Sequence, residues 1–374
     1  MGPSMTVSRI AVALLTVLIS ASSSSVRADD VDDYINREMQ DRNLPAVAVV
    51  VLKDGVVVKQ EAYGIANLEF GVPAKLDDVF PLASITKLFS SVAVFILVQD
   101  GKLHLEDRVA SLLTGLPASW NDITVLNCLS HTTGIPDFPD VYDSPNVPGT
   151  EADAIAAVAS LPLAYPTGTR SAYNQTEFLL LKKIVEKVSG ITFEEFLRQR
   201  IFVPAGISSA RYGDSRDIFP KGVSVYTHAK PAADRFHSIP LKPFVNRATD
   251  PLFHSDLLFP DYTQASAGLY MSAPDLAKLD TVLHRGLLKK SLLQQMWTPF
   301  RLKDGSLGGF TSGWQYDEWN GHPVVGHVGA GMAAYTSLLD DGVTVVLLTN
   351  VQETRVWDLS RGLLQLYVPG VRAH

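Results

Sequence analysis

Ser84-Ile85-Thr86-Lys87 sets a hydroxyl and an amine three residues apart at the head of an apolar stretch. On a helix, residues i and i+3 share a face, so the lysine lies beside the serine, and an apolar setting disfavours its ammonium form. A neutral amine there accepts the serine proton, which makes the pair a nucleophile with its activator. The helix N-terminus adds free N–H groups and a positive dipole end for an anion developing at Ser84. Spacing alone leaves a second reading open, a helix-capping serine and a snorkelling lysine, because such a coincidence is expected about once in a chain of this size.

The flanking sequence supplies the elements that must hold the pair. Asp78-Val79-Phe80-Pro81 predicts an extended approach, since the residue before proline avoids the helical region. Leu88, Phe89, Val92, Ala93, Phe95, Ile96 and Leu97 predict a helix apolar almost all round, stopped by Asp100-Gly101. Upstream, residues 32–42 read as an amphipathic helix and 46–52 as a β-branched strand. Lys53-Asp54-Gly55 turns that strand into a second one over 56–63. Helices follow over 150–160, 176–189 and 192–201, the last opening with the capping box Thr192-Phe193-Glu194-Glu195. Residues 221–261 show no strong period and read as a long loop region over a cleft. Ser272-Ala273-Pro274-Asp275 starts a further helix. The tail returns to strands over 323–328, 333–339 and 343–349, the last two joined at Asp340-Asp341-Gly342, before a helix over 353–366. Strands at both ends with helices between them predict an α/β (α+β) architecture. One antiparallel sheet, from about 29–100 and 262–374, is flanked by helices, with an all-helical insertion and loops over about 101–261.

The 374 residues are 46% hydrophobic, ample for a core. Arg9, an apolar run over 10–19, a serine-rich stretch and Val26-Arg27-Ala28 predict a secretory signal over residues 1–28, cleaved after Ala28. The run is too short to span a bilayer, so no stable membrane span is expected after cleavage, and the destination is secreted or periplasmic. Cleavage removes Arg9 and Arg27 and no acidic residue, which moves the net charge from −7 to −9. That balance argues against a nucleic-acid partner and leaves a small-molecule or peptide substrate. Cys128, the single cysteine, excludes an intrachain disulfide and reads as a buried, inert thiol. The nine histidines show no ligand spacing, so no metal site and no cofactor are expected. No Gly-x-Ser-x-Gly elbow is present, and Gly326-His327-Val328-Gly329-Ala330-Gly331 has the wrong glycine order for a dinucleotide loop. Trp297, Trp314, Trp319 and Tyr316 are candidates either for an acyl pocket or for core packing.

Five ordered segments together resemble the penicillin-recognising serine hydrolases, in particular the class C β-lactamase, D-alanyl-D-alanine carboxypeptidase and esterase group. Phe80-Pro81-Leu82-Ala83-Ser84-Ile85-Thr86-Lys87 is similar to their nucleophile motif. Leu129-Ser130-His131-Thr132-Thr133-Gly134-Ile135 is similar to their Leu-x-His-Thr-Ser-Gly segment, and Tyr173-Asn174-Gln175 to Tyr-x-Asn. Residues 265–276 resemble a fourth family segment, and Gly326-His327-Val328-Gly329 stands where Lys-Thr-Gly is usual. The resemblance implies a β-lactamase/transpeptidase-like fold and an acyl-enzyme on Ser84. It assigns Lys87 as activating partner and Tyr173 as the proton relay. It also implies an oxyanion hole from the backbone N–H groups of Ser84 and Ala330, and substrate contacts at Gln175, His327 and Gly329. Cations at Lys87 and His327 would lower the Tyr173 pKa toward a phenolate. Gly329 and Gly331 allow close backbone approach, or mark a bulge. His131 orders its own loop.

Two departures from the family pattern bear on the substrate. Gln175 keeps the amide of the usual asparagine on a side chain one methylene longer. His327 replaces a permanent charge that holds substrate carboxylates, and histidine is mostly neutral at pH 7. A histidine here is similar to family members that act on esters or D-amino-acid amides. The expected activity is hydrolysis of ester or amide bonds in the manner of β-lactamases and D-alanyl-D-alanine carboxypeptidases. The alternatives are a carboxylesterase with little β-lactam activity and an inactive cell-wall-binding homologue.

Overall fold

In the computed structural model, residues 28–141, 149–228, 251–352 and 354–371, together with Gly2, are described. The sequence-read signal lies almost entirely outside them, as do most of the 221–261 stretch and Glu353, from which the last helix was expected to start.

The first strand, Ala46–Lys53, shows why the sheet sits at the centre. Its residues 46–52 are all buried, so both faces are covered. Val47, Val49 and Val51 face the helices Ala28–Arg42 and Val356–Tyr367, with Val31, Ile35, Leu359 and Leu363. Ala48, Val50 and Leu52 face the larger core built on the helix Thr86–Gln99. The strand pairs with Val56–Asn67 on one side and Val343–Thr349 on the other, in the register Val47 to Thr349 and Lys53 to Val343. Seven antiparallel strands result, in the order Val72–Pro73, Val56–Asn67, Ala46–Lys53, Val343–Thr349, Ala333–Leu338, His322–Gly329, Gln315–Trp319. The fold is β-lactamase/transpeptidase-like, an antiparallel sheet flanked by helices.

Several elements differ from the sequence reading for local reasons. Thr192 caps its helix by accepting from Glu195 N–H, but the Glu195 carboxylate turns to Arg198 and Gln199, so the capping box is half made. That helix, Phe193–Leu197, passes into a π turn over Arg198–Phe202 rather than running evenly to 201, next to Pro204, which lacks an N–H to donate. A complete capping box occurs instead at Thr124 and Asn127, on the short helix Val125–Leu129. The final helix starts at Val356, after Arg355 in a left-handed conformation. Among the described residues no helix is long and apolar enough to cross a membrane.

Candidate active site

The serine is delivered by a strand, a strained turn and a buried helix. Phe80–Pro81 pairs with Leu269–Met271, which confirms the extended approach. Ala83 then takes φ +43°, uncommon for a side chain with a Cβ, and Ser84 lies in the 3₁₀ turn Ala83–Ile85. Thr86 Oγ1 donates to Ala83 O at 2.7 Å as the α-helix begins. Every residue from Thr86 to Leu97 is buried, Lys87 completely.

A phenol stands between the lysine and the serine. Lys87 Nζ lies 2.6 Å from Tyr173 Oη, 2.7 Å from Gln175 Oε1 and 3.0 Å from the Ser266 carbonyl oxygen. Tyr173 Oη in turn donates to Ser84 Oγ at 2.6 Å. The three groups thus form a hydrogen-bonded chain with the phenol in the middle. Burial is the main cause that pushes Lys87 down to about 7, against the opposing charges of Asp137 and Glu177. A neutral amine has two protons to give, and carbonyl oxygens only accept. With all three contacts made by donation Lys87 is an ammonium; in the neutral form Gln175 and Ser266 take its two protons, and the lone pair accepts from the phenol once Tyr173 turns its proton from Ser84 toward the amine. The longer Gln175 side chain reaches the lysine, a contact that its place in the motif alone does not disclose.

The expected lowering of Tyr173 is reversed. Desolvation of the hydroxyl pushes it up to about 12, outweighing the hydrogen bonds with Ser84 and Gln175, although 39% of the residue is exposed. His327 is not a second cation either. It is 1% exposed, and burial, then Lys87, pushes it down to about 3. Its Nδ1 donates to Val328 O at 2.7 Å, which leaves Nε2 as an acceptor with no protein partner among the described residues. Its ring stands 5.8 Å from that of Tyr173.

Gly329 brings the strand His322–Gly329 against the nucleophile turn. A Cβ there would overlap the Leu82 carbonyl oxygen and lie 3.3 Å from Ser84 N, so close approach rather than a bulge explains this glycine. Ala330 follows at φ +47° and turns the chain beside Ser84.

Tyr173 sits in an irregular stretch fixed from outside. Ala172 N–H donates to His131 O at 2.8 Å, and Asn174 Nδ2 donates to Ile135 O at 2.7 Å. Asp137 Oδ1 accepts from the N–H groups of Gln175 and Thr176 at 2.8 and 3.0 Å, which caps the helix Thr176–Ser189 from another loop. Phe310 stacks beside the phenol ring at 6.0 Å.

The tryptophan candidates pack in the core. Trp314 is fully buried, edge-on to Trp297 and Tyr335, and Trp319 is covered by Trp357. Tyr316 lines a cavity of about 340 Å³ with Phe310, Gln315, Val328 and Trp357. Cys128 is buried and its thiol is pushed up, as an inert thiol requires. The sequence reading missed the Ser266 carbonyl, Asp137, Phe310 and Glu177. Of these, Ser266 alone lies in a segment with a motif signal.

A serine, phenol and lysine in line at the edge of this sheet define the penicillin-recognising class of serine hydrolase fold. The Beta-lactamase family model matches residues 31–366, and the chain belongs to that family of serine hydrolases. Penicillin-binding protein 4* of Bacillus subtilis (strain 168) is 25% identical over 319 residues, spanning 82% of this chain and 68% of its own length. N-acetylmuramyl-L-alanine amidase of the same strain is 28% identical over 378 residues, spanning 91% and 84%. The octameric penicillin-binding protein homologue from Pyrococcus abyssi superposes with a TM-score of 0.74 at 23% identity, covering 91% of this chain and 77% of that one.

Proposed function

We propose that the protein is an exported hydrolase that forms an acyl-enzyme on Ser84 and prefers acyl substrates without a carboxylate, carboxylic esters before β-lactams or D-alanyl peptides. The chain Ser84 Oγ, Tyr173 Oη, Lys87 Nζ, with both links at 2.6 Å, carries the reading. With Lys87 neutral, both hydroxyls turn so that Ser84 O–H donates to the phenol oxygen and the phenol donates to the amine; as Oγ attacks the carbonyl carbon, its proton passes to the phenol oxygen and the phenol proton passes to Lys87. Tyr173 therefore relays a proton without resting as a phenolate, in keeping with its raised pKa. The N–H groups of Ser84 and Ala330 receive the oxyanion. The proton returns through Tyr173 to the leaving alcohol or amine, and water then repeats the sequence against the acyl-serine.

The ester preference is supported by His327, which stands uncharged where a lysine would attract a carboxylate. Relatives named for penicillin binding and for a muramyl amide favour the amide alternative and an extracytoplasmic location. Two measurements test the proposal. A fluorophosphonate should add its mass at Ser84, and equal labelling of wild type and Ser84→Ala would sink the assignment. Across p-nitrophenyl esters, a chromogenic cephalosporin and D-alanyl peptides, the esters should turn over fastest. His327→Lys should move the ratio toward carboxylate-bearing substrates by about fivefold, as a screened charge contact of roughly 1 kcal/mol would.

A further inference from the structure

Behind the phenol lies a buried acid and base for which the relay has no use. His131 and Glu177 are both fully buried, and His131 Nδ1 stands 2.5 Å from Glu177 Oε2. Glu177 Oε1 accepts from Thr133 Oγ1 at 2.6 Å and from Thr133 N–H at 3.3 Å, so the carboxyl grips one short loop with both oxygens. The imidazole lies against the Tyr173 ring, centroids 5.0 Å apart, and is held between Phe178 at 5.3 Å and the edge-on Phe310 at 4.5 Å. His131 keeps φ +57°, uncommon outside glycine, and its carbonyl anchors Ala172, the neighbour of the phenol. One side chain and its own backbone thus touch Tyr173 from two directions.

We propose that Glu177 and His131 are a positioning pair: the carboxyl fixes the imidazole, and the imidazole fixes the Tyr173 ring between Ser84 and Lys87. This rests on the reading of Tyr173 as the relay. The pair acts as an uncharged unit. The groups facing it are Lys87 on the nucleophile helix, His327 on the strand, Asp137 and Tyr165 on loops, and Cys128 on a short helix. Lys87 spends its hydrogen bonds on Tyr173, Gln175 and Ser266 rather than on Glu177. Burial holds the Glu177 carboxyl well above the usual range and His131 well below, so the carboxyl keeps its proton and donates it to Nδ1. An ionised Glu177 raises the lysine pKa, so an uncharged carboxyl favours the neutral amine further.

Glutamine reproduces this arrangement, because its amide N–H donates to Nδ1 and its carbonyl accepts from Thr133. The test compares Glu177→Gln, Glu177→Ala and His131→Phe by kcat and KM on a p-nitrophenyl ester and by the pH dependence of Ser84 labelling. Glu177→Gln is expected within about threefold of wild type with its pH midpoint unmoved. The other two should lose about 10- to 100-fold in kcat with little change in KM, the scale of a misplaced catalytic group. A glutamine variant as slow as the alanine variant, or with a shifted midpoint, would overturn the uncharged pair. Wild-type kcat in Glu177→Ala and His131→Phe would overturn the positioning role. If Glu177→Ala fails to fold by circular dichroism, His131→Phe and Glu177→Gln decide between these outcomes. Tyr173→Phe measured alongside separates the failures: at wild-type turnover the relay falls and this role with it, whereas a slow Tyr173→Phe beside fast pair variants removes the positioning alone.

Discussion

The serine side and the phenol side of the site are built by different means. Ser84 and Lys87 are placed by consecutive residues, a paired strand, a 3₁₀ turn and a helix buried from Thr86 to Leu97. Tyr173 belongs to no helix or strand, and His131, Ile135 and Asp137 hold its neighbours from a separate loop. The nucleophile is therefore a property of a segment, while the relay is a property of the assembled fold. Disturbance outside the site should reach the phenol side first.

The largest effect expected is on the residue that joins the two sides. Lys87→Met removes the terminal proton acceptor and should slow acylation by about 10⁴-fold, the upper end of acid–base catalysis, read from the rate of fluorophosphonate labelling. Tyr173→Phe keeps the nucleophile and the turn and should cost roughly 10²- to 10³-fold in the same measurement. Near wild-type labelling in Tyr173→Phe would mean that the lysine reaches the serine by itself, and the two sides would collapse into one.

A matched pair of smaller changes sharpens the contrast. Asn174→Ala leaves the Ile135 carbonyl and the Glu177 N–H without their partner. It should lower stability by about 2 kcal/mol in urea unfolding and slow acylation by about tenfold. Thr86→Val removes the bond to Ala83 O on the serine side. It should cost about 1 kcal/mol and leave acylation within about threefold, because the helix remains packed around it. The reverse ranking of the two acylation rates would invert the comparison.

The pH dependence is the smallest effect. Lys87 acts as a base, so the active form is the neutral amine and its fraction grows with pH. Burial sets its pKa at about 7, so acylation should climb through neutrality and level off above it, well short of the range where Tyr173 ionises. The midpoint belongs to the coupled pair of groups. A rate that fell through neutrality would require a protonated lysine.

The legibility of the sequence follows the same division. The nucleophile helix and the strands at both ends could be read because apolar period and turn residues are local signals, and 343–349 and 176–189 matched to the residue. The charge states could not. That His327 is uncharged and Tyr173 raised depends on burial created by distant segments. Glu177 carried no signal of its own: a glutamate in the first turn of a helix is ordinary dipole compensation, and its partner is 46 residues away. Trp314 and Trp319 were readable as aromatic but not as core or pocket, which only the packing around Tyr335 and Trp357 decides.

The pairing of Ala46–Lys53 with Val343–Thr349 also sets a timetable for the nascent chain. One edge of the first strand is closed early by Val56–Asn67, but the other waits about 290 residues for its neighbour. At ribosomal speeds of about 5–20 residues per second that is roughly 15–60 s with a charge-free run of alanine, valine and leucine lacking its second partner. A chain truncated before residue 343 never closes that edge, although it still contains Ser84, Lys87, Tyr173 and Ala330. Such fragments should be recovered as aggregates rather than as weakened enzymes.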